Sequence, residues 1–127
     1  MGIGGFAAVG IGAATGAWMR WGLGLLLNPL LPTLPLGTLA ANLVGGYLMG
    51  IAMGFLTHYA SLPAEARLLI TTGFLGGLTT FSTFSAEAVT LLSRQQYGWA
   101  AAHVTSHLLG SLAMTLLGIF TINVIKG

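Results

Sequence analysis

Of 127 residues, 55% are hydrophobic and 5% charged, with a mean hydropathy of +0.90; soluble domains carry roughly a quarter charged residues, so the chain reads as an integral membrane protein. Its net charge of +2 comes from only six ionised side chains, Arg20, Glu65, Arg67, Glu87, Arg94 and Lys126, which excludes the clustered Lys and Arg of a nucleic-acid binder. The absence of cysteine excludes disulfides and thiolate metal sites.

The first apolar run, 3–27, is long enough to span a bilayer and lacks the basic start of a secretory signal, so it is read as retained structure. Gly12 and Gly16 are spaced to let another helix come close, and Arg20 falls near the far end. The connector Asn28 to Pro35 has three prolines in seven residues and cannot continue the helix. A second span is expected over 36–57, with Asn42 near its start and Gly46, Gly50 and Gly54 forming a small-xxx-small stripe. A third run, 64–92, follows a turn at 58–63. The fourth span is expected over 97–125, with Tyr97 and Trp99 suited to an interfacial belt. The expectation is thus an all-α membrane protein, four transmembrane helices in a single membrane domain, 1–127.

The third run stands apart. At about 1.5 Å per residue, an unbroken helix of that length overshoots a hydrocarbon core of about 30 Å. Its centre, Gly73 to Ser85, combines a Gly-Gly pair, a run of hydroxyl residues and two phenylalanines three apart. A break near 76–82 is therefore expected, and such backbone is tolerated at depth only against protein, a bound ion or a wet cavity. On the helix that follows, Phe81 and Phe84 share one face, and Ser82 and Ser85 another.

Four spans put Arg67 and Lys126 on one side of the membrane and Arg20 and Arg94 on the other. The positive-inside rule then selects no orientation: either so few charges make the count noisy or, on the sharper reading, copies insert both ways up and pair head-to-tail about an axis in the membrane.

Glu87 lies deep enough for a charge to be costly, so its default reading is functional, unless it is neutralised by protonation or by hydroxyl hydrogen bonds. It also keeps open an alternative, a small proton-coupled multidrug exporter of four spans, although such exporters usually carry the carboxylate in the first span. His103 and His107 have an i, i+4 spacing that can hold a metal. No carboxylate or cysteine accompanies them in nearby sequence, and the favoured reading is an interfacial His103 and a hydrogen-bonding His107. Asn42, Ser106, Ser111 and Thr115 are polar positions expected to face a bundle interior. No nucleophile with its base, phosphate loop or cofactor motif is present, so no enzyme is expected.

With these residues in view, the chain resembles the small four-span bacterial fluoride channels, the Fluc/CrcB family. The resemblance covers essentially the whole chain and is carried by Gly16 to Trp21, Pro35-Leu36-Gly37-Thr38-Leu39-Ala40-Ala41-Asn42-Leu43, Thr71 to Ser85, and Gly110-Ser111; the third of these is highly specific. It implies an antiparallel, dual-topology homodimer in the bacterial cytoplasmic (inner) membrane, with two pores that export cytoplasmic fluoride passively. It implies a structural Na+ at the dimer axis, held by the backbone carbonyls of Gly76 and Thr79 from both subunits. Phe81 and Phe84 become the pair whose ring edges meet the anion, and Asn42 a fluoride donor. Thr80, Ser82, Thr83, Ser85, Glu87, Ser111 and Thr115 become the polar track, and Arg20 a vestibule residue that draws anions in.

Overall fold

A computed structural model describes residues 2–126. All of its regular structure is helical: α1 (Gly2–Leu27), α2 (Leu36–His58), α3 (Ala64–Leu68), a wide π turn (Leu69–Leu75), α4 (Gly76–Leu78), α5 (Phe81–Ser93) and α6 (Tyr97–Lys126). Four stretches are long and apolar enough to cross a membrane, Gly2–Leu30, Leu36–His58, Ala64–Ser93 and Tyr97–Lys126.

The connector after α1 begins as a 3-10 turn, Asn28–Leu30, and its prolines keep it from extending. Asn28 links it to the next helix: its side-chain oxygen accepts from the Gly37 amide at 2.7 Å, serving one of the donors that the first turn of α2 leaves free. At the other end of the bundle, α5 closes on Gln95 in the left-handed region, φ 58°. There the Gln95 amide donates to Leu92 O at 3.0 Å and the Gln96 amide to Leu91 O at 2.9 Å, the paired bonds of a Schellman turn.

Two backbone-close pairings build the bundle, and glycine permits both. α1 packs on the π turn and α4, and α2 packs on α6. A Cβ on Gly12 would stand 2.7 Å from the Phe74 amide nitrogen. One on Gly50 would stand 2.9 Å from the Thr115 carbonyl carbon and 3.0 Å from the Gly118 Cα. Close approach of this kind supplies dispersion contacts where lipid removes the hydrophobic drive between helices. The buried centre is small: Ala41, Ala52, Leu75 and Leu78, with Leu23, Leu48, Met49 and Phe74 against it. Outward faces are apolar, and Ile3, Phe6, Leu26, Leu116 and Ile125 are 68–87% exposed, as suits helices whose solvent is lipid.

Within the third span, Thr79 (φ −88°, ψ 155°) and Thr80 (φ −150°, ψ 119°) are extended between α4 and α5. The π turn ahead of them contains Ile70, Thr71, Thr72 and Gly73, a run of weak helix formers. Nothing in the spacing of the sequence anticipates that turn.

Candidate functional site

Extended backbone inside a membrane span needs partners for its amides and carbonyls, and α2 supplies them through Asn42. The Thr80 amide donates to Asn42 Oδ1 at 2.7 Å, and Asn42 Nδ2 donates to Thr80 O at 3.0 Å. One side chain thus stands in for a neighbouring strand. Thr80 then starts the next helix: its hydroxyl oxygen accepts from the Thr83 amide at 3.1 Å and lies 3.0 Å from Thr83 Oγ1, an N-cap for α5.

These bonds also divert helical donors. An α-helix would pair Gly76 O with the Thr80 amide and Thr79 O with the Thr83 amide. The first amide goes to Asn42 and the second to the Thr80 hydroxyl. Gly77 O accepts from Arg20 Nε at 3.1 Å, so α1 reaches the same segment with its one cation.

Phe81 and Phe84 leave α5 with ring centroids 5.5 Å apart. Phe84 lies against both histidines of α6, 5.2 Å from His103 and 4.7 Å from His107. Phe81 remains 79% exposed. Asn42, Thr80, Phe81, Phe84, Ser111 and Thr115 line one groove of about 570 Å³, together with Gly45, Thr79 and His107. Ser82, Thr83, Ser85 and Glu87 lie off that groove, and Ser82 and Ser85 are exposed on the outer side of α5. Thr115 spends its hydroxyl proton within the bundle, with Gly46 O at 2.9 Å and Ser111 O at 3.0 Å.

Glu87 is tied down by a residue that sequence reasoning missed. Thr38 Oγ1 donates to Glu87 Oε2 at 2.7 Å. Thr38 is one turn before Asn42 and therefore on the same face of α2, a signal that was available once Asn42 had been singled out. His103 is corrected by the structure: it is 0% exposed within the protein rather than interfacial, with Nε2 3.3 Å from Phe84 O and 3.5 Å from Glu87 Oε1. Packing of α5 on α6 brings to the histidines the carboxylate that nearby sequence lacks. His107 is also buried, and its Nδ1 lies 3.0 Å from Asn42 Nδ2. As Asn42 Nδ2 is a donor, Nδ1 accepts and the neutral ring carries its proton on Nε2. Both Asn42 amide protons are thereby engaged, one by Thr80 O and one by His107.

The site therefore combines an aromatic pair, an amide, threonine and serine hydroxyls and histidines along a groove that is open on one side. Residues 7–119 match the family described as CrcB-like protein, camphor resistance (CrcB). The chain belongs to this CrcB-like family. Curated relatives cover it almost end to end. A protein of Nitrosospira multiformis is 64% identical over 96% of this chain and 95% of its own length. Proteins of Cupriavidus taiwanensis, 62% identical over 92% and 93%, and of Pseudomonas paraeruginosa, 58% over 94% and 94%, are comparably similar. Each of these relatives bears the name fluoride-specific ion channel FluC. Thr38, Asn42, Thr80, Phe81, Phe84, Glu87 and the histidines all fall within the part of the chain that matches the family.

Proposed function

We propose that this chain is a fluoride-selective passive channel of the bacterial inner membrane, working as an antiparallel homodimer that lets cytoplasmic fluoride leave down its electrochemical gradient. The observation that carries the reading is its membership of the CrcB-like family, with relatives named fluoride-specific ion channel over nearly the whole chain. Support from the site is that Asn42, Phe81 and Phe84 share one groove. Nothing in the site or its relatives favours the proton-coupled exporter.

The protomer by itself leaves that groove open and Phe81 exposed. A second copy in the opposite orientation closes it, consistent with two basic residues near each membrane face, Arg67 and Lys126 against Arg20 and Arg94. The Gly76 and Thr79 carbonyls, whose helical donors are engaged elsewhere, are hard oxygen donors suited to Na+. When bound at the dimer axis, that ion supplies a positive charge shared by both subunits.

Fluoride sheds strongly held water only where donors replace it, and it moves on only if no single site holds it fast. The hydroxyls of Thr80 and Ser111, the ring edges of Phe81 and Phe84 with their positive quadrupole, and one amide proton of Asn42 form such a sequence of weak sites. The Asn42 proton now shared with His107 is the one open to exchange; the other closes on Thr80 O. Ser82, Thr83, Ser85 and Glu87 continue the polar track along α5, while Arg20 raises anion concentration at one mouth. An inside-negative potential drives the anion out at about 2.3 kcal/mol per charge per 100 mV.

The test is fluoride release from liposomes holding the purified protein. Release that requires valinomycin to carry potassium counter-charge, with chloride retained, is the expected result. No release from vesicles containing folded protein overturns the reading.

A further inference from the structure

Three buried side-chain atoms lack a hydrogen-bond partner among the described residues: Glu87 Oε1, His103 Nδ1 and His107 Nε2. They belong to three residues that can each offer one ligand atom, all within 4.8 Å of one another. We propose that Glu87, His103 and His107 form a binding site for a divalent transition ion of the zinc class, one per protomer, beside the groove.

Each residue is held by one atom and leaves its other atom without a partner. Thr38 fixes Glu87 through Oε2 at 2.7 Å, leaving Oε1. Phe84 O receives His103 Nε2 at 3.3 Å, leaving Nδ1 with its lone pair. Asn42 holds His107 through Nδ1 at 3.0 Å, leaving Nε2. Phe84 O and Thr38, which hold His103 and Glu87 through the atom far from the cluster, are the usual kind of outer support of a metal site, whereas the bond from Asn42 to His107 must give way. Two imidazoles and a carboxylate suit zinc or its neighbours in the first transition row and leave a fourth position open. His103 and His107 are 0% and 4% exposed, and their ring centroids are 4.4 Å apart, so the cluster is enclosed within the protein. The groove lined by His107 provides the way in.

Coordination through His107 Nε2 moves that ring's proton to Nδ1 and breaks its hydrogen bond with Asn42. The exchange gives up one neutral hydrogen bond for a metal–nitrogen bond. The ion's two charges meet one carboxylate, and the open position is left to a water or an anion.

This inference rests on the cluster and not on the fluoride reading, so either can fail alone. The experiment is a titration of the purified, chelator-stripped full chain in detergent with Co2+ alone and then Zn2+ alone. One Co2+ per protomer is expected, with the ligand-field spectrum of a four-coordinate nitrogen and oxygen site, displaced by Zn2+. His103→Gln and His107→Gln should each weaken binding by at least about 100-fold, judged against the 10- to 100-fold cost of losing an outer support alone. His58→Gln, on the exposed end of α2, should leave it unchanged. The absence of saturable binding, or binding that survives in the His103→Gln/His107→Gln double variant, overturns the proposal. Should those variants not fold, a wild-type cobalt spectrum of six-coordinate, water-like character overturns it equally.

Discussion

Asn42 binds both backbone polar groups of Thr80, accepting from its amide at 2.7 Å and donating to its carbonyl at 3.0 Å. That pairing holds extended chain in the middle of a span where no water can serve it. Asn42→Ala orphans both groups. With about 1–3 kcal/mol for each unsatisfied buried group, the variant should lose about 3 kcal/mol of stability and pass fluoride at least about tenfold more slowly. Thermal unfolding in detergent and liposome efflux, measured side by side, check it. An unchanged unfolding midpoint would refute the structural half.

Phe81 and Phe84 separate two roles. Phe81 is 79% exposed on the protomer, so its ring adds little to the fold of a single copy. Phe81→Ile should therefore keep helix content while fluoride efflux collapses. Phe84 touches Phe81, His103 and His107, so Phe84→Ile should lose efflux and also about 1–2 kcal/mol of stability from its aromatic contacts. Normal efflux in Phe81→Ile would remove that ring from the pathway.

The glycines divide into those that touch backbone and those that do not. Gly50→Leu drives a side chain into the Thr115 carbonyl and Gly118 on α6, atoms that cannot step aside, and should cost about 3 kcal/mol or more. Gly22→Ala, with nothing within 4 Å of its Cβ, should gain up to about 1 kcal/mol from helix propensity. The yield of monodisperse protein and its unfolding midpoint report both. Equal behaviour of the two variants would mean that α2 and α6 are not in backbone contact.

Gln95 occupies a left-handed position, φ 58°, at the turn into α6. Such a conformation costs an L residue about 1–2 kcal/mol and glycine almost nothing. Gln95→Gly should raise stability by about 1 kcal/mol despite the greater freedom of the unfolded chain, seen as a higher unfolding midpoint with efflux unchanged.

The sequence by itself determined the solvent, the helices and the membership of the CrcB-like family. Six charges in 127 residues leave only lipid as surroundings, and prolines at 29, 32 and 35 end the first span wherever it packs. Glycine stripes at Gly12 and Gly16 and at Gly46, Gly50 and Gly54 marked faces for close approach. They could not say that the first stripe meets the third span and the second meets α6, because glycine spacing names a surface and not its partner. The Gly-Gly and hydroxyl run marked weak helix over 76–82; that Thr79 and Thr80 are the extended residues depends on Asn42, 38 positions from Thr80, reaching both of the latter's polar groups. Glu87 and the pair His103 and His107 were each visible as costly polar groups in an apolar chain. Their union was not, since the 15 residues between Glu87 and His103 include the whole turn from α5 to α6, and only the return of α6 along α5 sets the carboxylate against the imidazoles.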